Sequence, residues 1–118
     1  MNIEEFRNYC LSKKAVEESF PFGEQTLVFK VMGKMFALTN LDREEAAANL
    51  KCDPERATQL RSEYDAVQAG YHMNKKHWNT ILLESNMADD LLYELIDHSY
   101  ELVIKNLPKK TRETLGQL

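Results

Sequence analysis

The stretch Thr26-Leu27-Val28-Phe29-Lys30-Val31-Met32-Gly33-Lys34-Met35-Phe36-Ala37-Leu38-Thr39 decides the fold. Its first half is rich in β-branched and aromatic residues, which fit a pleated, half-buried surface. Gly33-Lys34 matches a two-residue turn with glycine in the first central position, and Met35–Thr39 then returns alongside. Residues 26–41 therefore read as a β-hairpin. Side chains alternate across a strand, so that turn sets a register. Leu27, Phe29, Val31, Phe36 and Leu38 are expected on a core face. Val28, Lys30, Met32, Met35, Ala37 and Thr39 are expected on the other, a mixed surface carrying a lysine and half open to solvent.

Working outward, Asn2 opens a helix, with Glu5 at the position that completes a capping box. Ile3, Phe6, Cys10 and Leu11 keep one apolar stripe. Ser19-Phe20-Pro21-Phe22-Gly23 then stops any helix. Downstream of the hairpin, Ala46–Lys51 reads as a short strand. Asp53-Pro54-Glu55 combines a capping acid, a first-turn proline and a second acid, which starts a helix. Ala57, Leu60, Arg61 and Tyr64 follow at helical spacing, and Gly70 breaks the pattern. His77–Leu83 reads as a strand. Asn86 is placed to cap a last long helix whose stripe is Met87, Leu91, Leu92, Leu95, Ile96, Leu102 and Val103. Pro108 ends that helix near Leu107, and a basic tail follows. The order helix, hairpin, strand, helix, strand, helix predicts an α+β fold: an antiparallel sheet with helices packed on one face.

The 118 residues suit one domain spanning 1–118, and 43% hydrophobic with 29% charged residues is a globular composition. No apolar run approaches the ~20 residues that span a bilayer. The acidic, amphipathic start lacks the features of a signal peptide. Two scattered cysteines, Cys10 and Cys52, suit a reducing compartment. A cytoplasmic monomer is expected, with no membrane partner and no cofactor.

Net charge is −4, so indiscriminate attraction to nucleic acid is not expected. The charges nevertheless fall in blocks. Glu84, Asp89, Asp90, Glu94, Asp97 and Glu101 occupy a stretch without Lys or Arg. Lys30 and Lys34, then Lys75 and Lys76, then Lys105, Lys109, Lys110 and Arg112 occupy stretches without acids. A locally basic surface on an acidic protein is thus possible.

No Gly-rich phosphate loop, nucleophile elbow or Cys-x-x-Cys spacing occurs. His72 and His77 are five apart, which places them on opposite faces of a straight strand. No catalytic constellation and no metal site is expected. The segment Gly70-Tyr71-His72-Met73-Asn74-Lys75-Lys76-His77-Trp78-Asn79-Thr80 is the most unusual. Lysines attract phosphates, Asn reads a base edge, and Tyr or Trp stacks on a base. The plainer reading makes Trp78 core, Tyr71 a loop support and the lysines solvated.

Several ordered motifs resemble the MmcQ/YjbR family: Phe20-Pro21-Phe22-Gly23, Leu27 to Leu38, Leu50-Lys51-Cys52-Asp53-Pro54, Gly70 to Thr80, Ser99-Tyr100-Glu101-Leu102-Val103 and Leu107-Pro108-Lys109-Lys110. The resemblance implies a CyaY-like α+β fold, related in shape to bacterial frataxin, and DNA binding through a double wing of sheet hairpins. On that reading Lys30, Lys34, Lys75, Lys76, Lys109, Lys110 and Arg112 contact phosphates, and Tyr71, His77, Trp78 and Asn79 contact bases or sugars. Two alternatives stand beside it. One is a protein- or ligand-binding adaptor using Met32, Met35 and the His-Trp loop. The other is a frataxin-like metal-ion binder using the acidic last helix.

Overall fold

A computed structural model describes residues 1–118. The elements run α1 (Ile3–Leu11), β1 (Val16–Ser19), β2 (Thr26–Val31), β3 (Lys34–Asn40), β4 (Ala47–Lys51), α2 (Pro54–Glu63), β5 (Val67–Ala69), β6 (Trp78–Leu82), α3 (Asp89–Lys105) and α4 (Lys109–Gly116). The strands form one sheet in the order β1-β2-β3-β4-β6-β5, antiparallel throughout. All four helices pack on one side of it: Phe6 of α1 meets Phe29 edge-on, Tyr100 of α3 meets Phe36, Asn79 of β6 donates to the Ala57 carbonyl of α2, and Leu115 of α4 joins the same core cluster. The expected α+β class is the observed one. The expected start of α1 is also observed, with Asn2 and Glu5 forming the reciprocal capping box.

Four elements differ from expectation. Strand β1 and strand β5 are short edge strands, VEES and VQA, whose sequences carry little pattern. Helix α4 replaces the basic tail: Pro108 ends one helix and also precedes the next. Helix α3 starts at Asp89 with Ala88 before it and no side-chain cap, so Asn86 does not cap it.

The hairpin turn is Met32-Gly33, one residue earlier than expected. Both residues have positive φ, 49° and 82°. That is the primed turn whose twist matches a hairpin. The register then shifts between Phe29 and Lys30: Phe29 opposes Ala37, while Lys30 opposes Met35. Phe36 is the extra residue of a β-bulge. It lets both Phe36 and Ala37 reach the helix-side core. Leu38 and Val28, paired across the strands, turn to the open face, while Thr39, opposite Leu27, turns to the helix side, which corrects the expected placement of Ala37, Leu38 and Thr39. Ser99 of α3 fills the gap the bulge opens. Its hydroxyl donates to the Phe36 carbonyl (2.5 Å) and accepts from the Lys51 N–H (2.9 Å). A side chain thus replaces the ladder beyond the Ala37–Leu50 pair.

Candidate nucleic-acid interface

Strand direction sorts the loops into two ends. The Met32-Gly33 turn defines the turn end. β1 and β6 start there, and β4 and β5 finish there. The turn end therefore also receives the α1–β1 junction, the β4–α2 junction and the 70–77 loop. Helix α3 arrives there too, since the Tyr100 hydroxyl donates to the Lys14 carbonyl, while its start lies at the far end, where Asp89 pairs with the Met1 amino group. Helix α4 stays at the turn end, with Leu118 beside Val16, Met32 and Gly33.

This sorting separates charge. The turn end holds Lys13, Lys14, Lys34, Lys51, Lys75, Lys76, Lys105, Lys109, Lys110 and Arg112, with Lys30 two residues before the turn. Its acids are fewer: Asp53, Glu55, Glu101 and Glu113, with Glu17 directly opposite Lys30 on the neighbouring strand. The far end collects Glu4 and Glu5 of α1, Glu24, Asp42, Glu44, Glu45, Glu63, Asp65, Glu84, and Asp89 and Asp90 of α3. Arg43 is the one Lys or Arg among those far-end loops. Several acids of the helix layer are neutralised internally: Glu18 by Arg7, Asp97 by Lys13 and Glu94 by Arg56. The molecule is a net anion with a basic pole.

All seven expected phosphate-contacting residues lie at this pole or within two residues of it. Lys34, Lys75, Lys76, Lys109, Lys110 and Arg112 are exposed, and Lys30 is half-buried. They do not share one flat face. Lys76 lies beside Pro54, Thr58 and Arg61 of α2, whereas Lys30 lies on the open face beside β1. The Lys75 ammonium donates to the Gly70 carbonyl within its own loop (3.0 Å). Lys51, which sequence reasoning missed, pairs with Trp78 and points to the open face. Its signal was weak, a lysine ending a short strand.

The expected base-contacting residues divide. Tyr71 is 59% exposed and His77 half-buried. Trp78 is only 8% exposed and Asn79 only 1%. Asn79 faces the helices, donates to the Ala57 carbonyl and leaves its own Oδ1 without a partner. Alternation along β6 forces this, since Leu50 opposite Asn79 is core. Neither Trp78 nor Asn79 is available for a base edge.

The 70–77 loop folds back over the open face. Gly70 N–H donates to the Trp78 carbonyl, and Tyr71 N–H then donates to the Thr80 hydroxyl (3.0 Å), which lies on that face opposite Asn49. His72 follows with φ 58°, its ring 4.0 Å from that of Tyr71. Between this loop and the far ends of β2 and β3 lies a cleft of about 640 Å³, lined by Gln25, Thr26, Asn40, Asp42, Arg43, Gln68, Tyr71 and His72.

Comparison with known proteins places this geometry. The YjbR family model matches residues 11–102. The chain belongs to the YjbR family. YjbR of Escherichia coli strain K12 is 34% identical over 118 residues, all of both chains, and YbdF of Escherichia coli O157:H7 is 36% identical over 107 residues, 91% of this chain and 88% of its own. The crystal structure of Deinococcus radiodurans protein DR2400, a DUF419 domain, superposes with a TM-score of 0.92 at 39% identity, covering 98% of this chain and 88% of that one. The crystal structure of a Pseudomonas syringae protein gives 0.76 at 28% identity, covering 86% and 98%. The YjbR match ends before α4, so the α4 cations lie outside it.

The remaining reactive groups are quiet. Burial pushes the Cys52 thiol up to about 11 and the Cys10 thiol higher still, so both are protonated at neutral pH. The Tyr9 hydroxyl donates to Asp97 and is pushed up to about 12. No three His, Cys, Asp or Glu side chains converge as metal ligands, along α3 or elsewhere. Met32 and Met35 are half-buried, and Met32 packs against the core. No helix is long and apolar enough to cross a membrane.

Proposed function

We propose that this YjbR-family protein binds DNA without catalysing a reaction, holding phosphates at the basic pole. The observation that carries the reading is the separation of charge between the two ends of the sheet. A net charge of −4 repels a polyanion at long range, but screening confines that repulsion to roughly 8 Å at physiological salt. A strand approaching the turn end then meets lysines and arginine, while the far-end acids lie well beyond that distance. The sheet and helices span 39 × 32 × 26 Å, several screening lengths. The Met32-Gly33 turn and the Lys75-Lys76 part of the 70–77 loop supply exposed groups at this pole, while Tyr71 and His72 fold back over the open face.

The test is the salt dependence of binding, read by fluorescence anisotropy of a labelled oligonucleotide. If Lys34, Lys75, Lys76, Lys109, Lys110 and Arg112 each neutralise a phosphate, log K against log salt falls with a slope of about −5 on duplex and about −4 on a single strand. Binding with a slope near zero, or no binding by folded protein at about 50 mM salt, removes the proposal.

A further inference from the structure

The open-face cleft is not explained by phosphate contact. One side of it carries Thr26 and Asn40 with the charged pair of residues Asp42 and Arg43, and the other carries Gln68 of β5 with the aromatic rings of Tyr71 and His72. Thr26 donates its hydroxyl to Asn40 Oδ1, which leaves the Asn40 amide protons free to face a ligand. Arg43 enters none of the chain's ion pairs. Tyr71 is held out from the surface by its backbone bond to Thr80, at 59% exposure, and His72 is kept in a left-handed conformation beside it. An exposed aromatic next to a strained residue costs free energy, and such strain is concentrated where a ligand uses it. About 640 Å³ is ample for one planar heterocycle and its sugar.

The cleft shares its sheet face with two lysines of the basic pole. Thr26 lies on its rim, and Lys30, four residues on, points to the same side. At about 3.3 Å per residue the two Cα atoms are roughly 13 Å apart. Lys51 lies two strands over, near the same row.

We propose that this cleft takes an unpaired nucleobase, stacked on Tyr71 and hydrogen-bonded by Asn40 from one side and Gln68 from the other, from the strand whose phosphates Lys30 and Lys51 hold. The ligand is therefore single-stranded. A duplex keeps its bases stacked and cannot deliver one into a concave face without unpairing it. This inference rests on the DNA-binding reading and adds strandedness and a base site to it.

The experiment compares a labelled oligo-thymidine strand with a duplex of matched length, for wild type, Tyr71→Ala and the double variant Lys30→Glu/Lys51→Glu. Tyr71 is exposed, so its variant is expected to fold with an unchanged melting temperature, which is checked first. Wild type prefers the single strand. Tyr71→Ala loses roughly 5- to 100-fold on the single strand, the range for one base–aromatic stack, and is unchanged on duplex. The lysine variant weakens both. Equal affinity of wild type for both strands, with Tyr71→Ala changing neither while the lysine variant still weakens them, overturns the cleft assignment and leaves the DNA reading standing. No binding of either by any folded form overturns both.

Discussion

Replacing Ser99 with alanine tests how the bulge is held. The Ser99 side chain is fully buried, and its hydroxyl is the only bridge between the Phe36 carbonyl and the Lys51 N–H. Ser99→Ala removes one oxygen and leaves two backbone groups without that partner. A buried unsatisfied donor or acceptor costs about 1–3 kcal/mol. The Phe36 carbonyl lies in the core and takes the larger share. The Lys51 N–H is partly buried and reaches some water. The sum is about 2–4 kcal/mol. For a domain of 118 residues, unfolding entropy near 2.1 cal/mol/K per residue converts this to a fall of roughly 8–16 °C in melting temperature. Circular dichroism against temperature measures it. Ser62→Ala, whose exposed hydroxyl bonds only to Gln59 within α2, serves as the control and is expected within about 0.5 kcal/mol of wild type. A Ser99→Ala protein melting within about 2 °C of wild type would refute the view that this hydroxyl closes the open ladder.

Two further outcomes follow from the same structure. A Cβ on Gly70 would lie 2.9 Å from Trp78 Cβ and 3.0 Å from Met73 Cβ, so Gly70→Ala is expected to displace the loop, lower stability by about 1–3 kcal/mol and speed amide exchange at Tyr71, measured by hydrogen exchange. His98 accepts the Asp53 N–H through Nε2, and burial holds its pKa below the usual histidine value of 6.5. A depressed folded value means the unfolded chain takes up the proton first. This contribution to stability is complete above pH 6.5 and is lost as pH falls below it toward the folded value, and His98→Gln should flatten that part of a stability–pH curve.

Much of the layout was legible because it follows from local chemistry. Asn2 with Glu5, and Asp53 with Pro54, announce their helices by capping alone. The α3 stripe needs no tertiary information. The edge strands β1 and β5 were not legible: four and three residues carry too few side chains to show alternation. The turn moved by one residue because Gly33 satisfies either of two turn types, and only the bulge at Phe36 decides between them. That bulge depends on Ser99, sixty-three positions away in sequence. Helix α4 was hidden because its buried face rests chiefly on Leu115.

The candidate site shows the same division. Blocks of like charge are visible in the chain, but their meeting point depends on which loops share an end of an antiparallel sheet. Lys30, Lys34, Lys75, Lys76 and the α4 cations could be named from residue type, and their common pole required the strand directions. Trp78 and Asn79 looked equally eligible with Tyr71 because they are close neighbours in sequence. Pairing to Lys51 and Leu50 commits them to the sheet, whereas Tyr71 lies beyond the last rung.

The most direct measurement is amide chemical-shift mapping of labelled protein on addition of an oligonucleotide. The basic-pole account predicts shifts in the Met32-Gly33 turn, Lys51–Asp53, the 70–77 loop and the start of α4. Shifts concentrated instead in residues 1–5 and 83–90, or none at saturating oligonucleotide, would contradict it.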